Sequence, residues 1–282
     1  MKKIFITGVT GFLGARVAEL YQNKYYDVIN ATRADLDFTD GDKVREVISD
    51  CKPDLFIHCG AMSVMSECEA SPELSYKVNV EGVEHIGKAC AENGVKLIFC
   101  SSEQVYNATP GFEPFKETAP LTPNYVYAKQ KVEAEERLTR VCPDAVSLRL
   151  SWMYDKRKLF PNQHGNYWDG IKKAVEENLS LTYSINDYRG VTYVKTVVDN
   201  LEKTFTLPGG AYNFGSMNTL SSYELAKFAV ELLGGSRLQI RKAEFEGKER
   251  PLKSLRMDQT KINAAGIIFP SAAEGLAMCL ND

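Results

Sequence analysis

No stretch of this chain stays apolar for anything near the roughly 20 residues that a bilayer-spanning helix needs, which argues against a membrane role of that kind. Basic charge is not in excess: 34 Lys and Arg against 37 Asp and Glu leave a net charge of −3. That gives no electrostatic footprint for nucleic acid. Cysteines number seven and histidines three, but no two cysteines stand in CxxC spacing, and His58, His85 and His164 are far apart. A metal site is therefore not indicated, and thiols left free in this way suit a reducing cytosol. There is no internal repeat and no low-complexity linker. Met1-Lys2-Lys3 runs straight into Ile4-Phe5-Ile6, the pattern of a first core strand, so no signal peptide is expected and the location is expected to be cytoplasmic. What remains is ordinary globular composition, 44% hydrophobic and 25% charged over 282 residues. That is enough chain for one large domain or two fused lobes.

The first half alternates two periodicities. Strands are predicted over 3–7, 27–31, 55–58, 96–100 and 145–150. Helices are predicted between them over 15–22, 43–50 and 72–93, and one continues over 132–140. Strand–helix alternation of this kind predicts an α/β fold with a doubly wound parallel sheet. Thr39 or Asp40 caps the helix over 43–50, after a loop over 34–40 that holds a short strand. Pro72 and Gly94 bracket the long helix. After Trp152 the pattern loosens. Helices are predicted over 168–178, 196–206 and 221–233 (Ser221 or Ser222 as N-cap), strand pieces over 181–194 and at 211–214, and a polar mixed segment over 241–256. Two further helices fall within 260–282. The domain division expected is 1–152, with part of 185–206 returning to it, and 153–282 as a smaller α/β lobe that holds substrate.

Several residues fit chemistry at the strand ends. Between the first strand and helix lies Gly8-Val9-Thr10-Gly11-Phe12-Leu13-Gly14. Glycines there let the backbone turn tightly and approach a pyrophosphate seated on the helix N-terminus. At the end of the second strand, where an acid would hold a ribose hydroxyl and select NAD, the chain has Arg33, which can accept the additional phosphate of NADP. Small residues Cys59, Gly60 and Ala61 after the third strand let a cofactor lie against the backbone. Ser102 sits at the end of the strand over 96–100. Then Pro123-Asn124-Tyr125-Val126-Tyr127-Ala128-Lys129-Gln130-Lys131 offers a tyrosine and a lysine four apart twice over, Tyr125 with Lys129 and Tyr127 with Lys131. A lysine one helical turn on can favour the phenolate and lower the phenol's pKa, which makes an acid–base group for a carbonyl or alcohol. Spacing alone does not choose between the pairs.

The glycine spacing, GxxGxxG, resembles that of the extended short-chain dehydrogenase/reductases. Lys52-Pro53-Asp54, Ser71-Pro72-Glu73-Leu74, Val78-Asn79-Val80-Glu81-Gly82, Glu92-Asn93-Gly94, the run Ser101 to Tyr106, Pro114-Phe115-Lys116-Glu117, Arg149 with Ser151-Trp152, and Arg250-Pro251 carry a closer resemblance. They are similar to the dTDP-4-dehydrorhamnose reductase family, chiefly over the first 152 residues. The resemblance implies a Rossmann-type fold and reduction of a nucleotide-linked 4-keto-sugar with NADPH, NADH being possible. It implies a small nucleotide-sugar ligand and allows a homodimer. It also favours Tyr127 over Tyr125, because the family pattern has a proline four residues before the catalytic tyrosine, a small residue after it and a lysine four on. Pro123, Ala128 and Lys131 fit that pattern.

Implied roles follow. Tyr127 protonates the alkoxide, Lys131 lowers the pKa of Tyr127 and holds the cofactor ribose, and Ser102 donates to the carbonyl. Gly8, Thr10, Gly11, Phe12, Leu13, Gly14, Arg33, Asp37, Phe38, Cys59, Gly60, Ala61 and Asn79 line the cofactor. For Asn79 a role in helix packing is an equal reading. Glu103, Gln104, Trp152 and Arg250 meet substrate. Related 4,6-dehydratases carry an acidic pair after the serine or threonine, and Gln104 cannot act as that base. Where the family usually has a glycine-rich loop with Asn-Phe after the tryptophan, this chain has residues 153–166. Lys156-Arg157-Lys158 there is a solvated basic loop or a contact for a nucleotide diphosphate. The alternatives are an NAD-linked nucleotide-sugar epimerase and a non-catalytic dinucleotide-binding chain, similar to the regulatory partner of a methionine adenosyltransferase.

Overall fold

The computed structural model describes residues 1–160, 165–245, 248–249 and 252–282. Two compact units emerge. One comprises Met1–Thr109, Pro120–Arg149 and Asn200–Tyr212, and the other Pro110–Ala119, Leu150–Asp199 and Asn213–Asp282. The segment that returns to the first unit is 200–212, which overlaps the stretch 185–206 of which a part was expected to return.

The first unit is built on a six-stranded sheet. Its strands in chain order are β1 (Lys2–Thr7), β2 (Tyr26–Ala31), β3 (Leu55–His58), β4 (Lys96–Ser102) and β5 (Val146–Leu150), with Gly210–Phe214 as the last. Across the sheet the order is Gly210–Phe214, β5, β4, β3, β1, β2. The pairs β1–β2, β1–β3 and β3–β4 are parallel. Every residue of β3 is buried, as expected for a strand covered on both faces. Chain order reverses between β1 and β3, so the carboxyl ends of these strands flank the position where such sheets bind ligands.

Helix α1 (Phe12–Gln22) follows β1, and helix α2 (Gly41–Cys51) is capped by the Asp40 side chain, which accepts from the amides of Asp42 and Lys43. The loop before α2 contains no strand. Instead Asp35 accepts from the Thr32 amide and hydroxyl, and Asp37 from those of Thr39. These side chains offer the backbone turns in place of a ladder. The long helix after Pro72 carries a π turn at Lys77–Glu81, between the α-helices Pro72–Tyr76 and Gly82–Asn93. Gly94 ends it at φ 65°. The core beneath includes Phe5, Ile48, Phe56, Ile86, Phe99 and Leu138.

The second unit packs the helices Tyr167–Glu176, Ser222–Leu232 and Ala272–Asn281 around a core that includes Trp168, Ile171, Leu225 and Leu276. Each begins with a capping box, Asn166 with Asp169, Ser221 with Glu224 and Ser271 with Glu274. The reciprocal bonds satisfy amides that a helix start leaves free. Short parallel pairs join Trp152–Tyr154 to Val191–Tyr193, Leu181–Tyr183 to Ile240–Lys242, and Asp187–Arg189 to Lys253–Leu255. No helix among the described residues is long and apolar enough to cross a membrane.

Candidate active site

The turn after β1 is shaped by contact with its own backbone. Gly8 lies at φ +72°, and a Cβ there would come within 2.6 Å of the Cys59 carbonyl carbon and the Gly60 nitrogen. A Cβ on Gly14 would lie 2.1 Å from the Gly8 oxygen. Only glycine fits either position. Gly11 donates its amide to the Gly8 oxygen at 2.9 Å. Helix α1 starts at Gly11 with no side-chain cap and no acid in its first turn. Its free amides and the positive end of its dipole are left for an anion, so the cradle fits the pyrophosphate of a dinucleotide. Thr10 and Gly11 are exposed, while Leu13 and Gly14 are buried.

The small-residue loop after β3 is held from behind. Asn79, buried and inside the π turn, accepts from the Met62 amide and donates to the Met62 carbonyl, both at 2.9 Å. It also donates to Gln130, whose own amide reaches Ser75. Both polar atoms of Asn79 are therefore used in fixing the loop that carries Cys59, Gly60 and Ala61. The Phe38 ring covers Gly60 and Gly82, where added Cβ atoms would meet it at 2.8 and 2.6 Å. His58 donates to or accepts from Thr7 Oγ1 at 2.7 Å. Burial, then the nearby Lys131 charge, push its pKa down to about 3, so it is neutral.

Tyr125 is the extended N-cap of the helix Val126–Val141 and is exposed, as is Lys129. Tyr127 and Lys131, at 8% and 1% exposure, share the inward stripe with Glu135 and Leu138. Lys131 Nζ donates to the Cys100 carbonyl at 2.9 Å and stands 4.5 Å over the Phe99 ring. Its pKa falls to about 8 through burial, against the opposing pull of Cys100 and Glu135. Tyr127 departs from expectation. Its pKa is raised, because burial of the phenol outweighs the hydrogen bond with Ser102 that favours phenolate. The ammonium of Lys131 is 5.8 Å from the ring centroid and directed at Cys100 and Phe99, so its attraction for a phenolate does not offset burial.

Other expected site residues lie as follows. Arg33 is exposed, its guanidinium 3.8 Å from the Asp37 carboxylate. Bonds from Thr39 hold that carboxyl below its usual range. Glu103 and Gln104 are buried in a 3-10 turn that starts at Ser102, whose Oγ accepts the Gln104 amide at 3.2 Å. Trp152 belongs to the second unit, with Tyr167 edge-on at 5.6 Å and the Arg189 guanidinium 5.1 Å over its ring. Arg250 lies outside the described residues. In the basic tract, Lys156 donates to the Leu280 carbonyl and Lys158 stands 4.0 Å from Asp169.

One cluster was not expected. Glu135, one turn beyond Lys131, takes a forked bond from Arg149 (Nη2 to Oε2, 2.6 Å) and accepts the Ser101 hydroxyl. Arg149 also donates to Tyr106 Oη at 2.6 Å. The helical i,i+4 spacing of Lys131 and Glu135 was the signal available.

A reversed strand order, a glycine cradle at its switch point, and serine, tyrosine and lysine beside it define a protein of the short-chain dehydrogenase/reductase class. Within that class, a family model described as the RmlD substrate binding domain matches residues 1–282, and the chain belongs to that family. It is similar to the spore coat polysaccharide biosynthesis protein SpsK of Bacillus subtilis, at 26% identity over 95% of this chain and 93% of that one. A dTDP-4-dehydrorhamnose reductase of Streptomyces griseus is 28% identical over 93% and 87% of the two chains. The fold is shared with a crystal structure of dTDP-4-dehydrorhamnose reductase from Bacillus anthracis in complex with NADP. That match has a TM-score of 0.86 and 21% identity, covering 100% of this chain and 99% of that one.

Proposed function

We propose that this chain reduces a nucleotide-linked 4-keto-sugar with NADPH, the reaction type for which relatives such as the Streptomyces reductases are named. One observation carries the reading. Tyr127 and Ser102 meet at the carboxyl end of β4 with Lys131 one helical turn on, in the unit that also holds the glycine cradle. Ser102 donates to the ketone oxygen. Tyr127 gives its proton to that oxygen as negative charge grows on it, and the Lys131 ammonium offsets the charge left behind. The Gly8–Gly14 turn and the start of α1 hold the pyrophosphate, Arg33 takes the ribose phosphate, and Lys131 holds the other ribose. When bound, the nicotinamide supplies the hydride. Gln104 has no carboxylate to remove a sugar C–H proton, so the reaction ends at the alcohol. Glu103, at the end of β4, contacts the sugar nucleotide, and the enzyme works in the cytoplasm.

The test is NADPH oxidation with dTDP-4-keto-6-deoxy sugars, followed by nicotinamide absorbance. Tyr127→Phe should lower kcat by about 10²–10⁴, and Tyr125→Phe should leave it near the parent value. Full activity of Tyr127→Phe overturns the assignment. Turnover without net consumption of cofactor would point to an epimerase instead.

A further inference from the structure

The mechanism leaves one pair of nucleophiles unused. His58 and Phe99 are partners in the register of β3 and β4, so Cys59 and Cys100 are the next residues along two adjacent parallel strands. Their sulfurs are 3.6 Å apart. Neighbouring strands run about 4.8 Å apart, within the Cα separation of about 4.4–6.8 Å that a disulfide spans. Closing the bond requires the sulfurs to approach to about 2.05 Å, which side-chain rotation and a small backbone shift supply. The Cys59 thiol is itself buried, but Cys59 as a residue keeps more exposure than Cys100, so an oxidant that enters meets Cys59 first and Cys100 is placed to resolve it.

We propose that Cys59 and Cys100 form an oxidant-sensitive dithiol, which a peroxide closes to a disulfide in the floor of the cofactor seat. The Cys59 sulfur attacks one oxygen of hydrogen peroxide, the O–O bond breaks, and a sulfenic acid and water form. The Cys100 sulfur then displaces the sulfenic oxygen as a second water, taking up the protons of the two thiols. Both sulfurs are oxidised and both peroxide oxygens reduced, with no other reactant. The consequence for the site follows from its contacts. The backbone of Cys59 abuts Gly8, and the carbonyl of Cys100 anchors Lys131. A shift of either disturbs the glycine cradle or the lysine. The bond shared with Cys100, then burial, hold the Cys59 thiol well above its usual range, while the Lys131 cation pulls it down. Thiolate is therefore scarce at neutral pH, and the reaction is slow beside that of a low-pKa sensor cysteine.

That this floor seats a cofactor rests on the proposed function; the crosslink itself does not. Full-length protein treated with hydrogen peroxide should lose about 2 Da in intact mass. Peptide mapping should join Cys59 to Cys100 and leave the other cysteines open to alkylation. NADPH should slow the crosslink, and dithiothreitol should reverse it. Cys59→Ser and Cys100→Ser should each abolish the mass loss. The crosslink supports the dithiol even where no reductase activity is found. Its absence, its formation between other cysteines, or oxidation of Cys59 past the sulfenic acid with Cys100 still free would overturn the proposal.

Discussion

Glu135→Gln tests the ion pair behind the site. Arg149 and Glu135 are 5% and 8% exposed at their side chains. The substitution leaves the guanidinium charged, buried and without its counter-charge. Breaking a buried pair from one side costs about 3–5 kcal/mol. The glutamine carbonyl still accepts one hydrogen bond from the guanidinium, so the lower end, about 3 kcal/mol, is expected. With a urea slope of about 2 kcal/mol per molar, the midpoint falls by about 1.5 M. Circular dichroism and tyrosine fluorescence should be followed together, because two units need not unfold as one. The double variant Glu135→Leu with Arg149→Met removes both charges and the bonds that the Ser101 and Tyr106 hydroxyls make with them. It should be at least about 2 kcal/mol more stable than the sum of its single substitutions predicts. Additive losses, or a Glu135→Gln midpoint within error of the parent, would refute the claim that the charges are coupled.

Lys131→Met should raise stability at neutral pH. The folded pKa of about 8 lies below the ordinary 10.5, so below pH 8 the fold holds a buried ammonium at a cost of about 3 kcal/mol. That cost fades between pH 8 and 10.5, where the unfolded chain still binds the proton and the folded chain does not. Allowing for lost contacts, a gain of about 2 kcal/mol is expected at pH 7, shrinking toward pH 10, in thermal melts of an inactive variant; a loss of stability at pH 7 would contradict it. Gly14→Ala drives a methyl into the Gly8 oxygen and should weaken NADPH binding by at least about tenfold in a fluorescence titration. By contrast Gly94→Ala, strained at positive φ but with no atom within 4 Å, should cost about 1 kcal/mol and leave binding unchanged. Arg33→Ala should weaken NADPH about tenfold more than NADH, and equal effects would remove its part in cofactor choice.

Features that depend on near neighbours in the chain were legible in the sequence. The glycine turn, the Pro72 and Gly94 helix ends and the Ser221 cap are written within a few residues. The proposal of Tyr127 over Tyr125 needed the offset from Pro123, and it is supported by Tyr125 capping the helix while Tyr127 begins its buried stripe. What escaped depends on distant strands and helices coming together. Cys59 and Cys100 are 41 residues apart and meet only through sheet register. Arg149 reaches Glu135 from the neighbouring strand, and Glu202 ties Lys24 to Tyr26 across 178 and 176 residues. The helix Met65–Ala70 escaped for another reason, since six residues with two glutamates carry no apolar period. Asn79 shows how one residue type leaves two readings open: its carboxamide belongs to helix packing, and through Met62 it also shapes the loop.

The raised pKa of Tyr127 bears on how its proton can move. A phenol brought near neutrality would serve equally to take a proton from an alcohol or to give one to a ketone. Burial instead keeps the proton on Tyr127 throughout the physiological range, so the proton is in place before the reaction but costly to give up. The Ser102 hydroxyl beside it favours phenolate, so it stabilises the state that follows donation more than the one that precedes it. Lys131, held below its ordinary pKa in the same dry site, bears its positive charge at an energetic cost that a phenolate formed nearby would relieve. Ser102 and Lys131 are therefore better matched after proton transfer, and they offset the cost that burial sets on the loss of the Tyr127 proton. Proton donation from Tyr127 in the proposed reduction would thus depend on these two neighbours, which act against burial rather than with it.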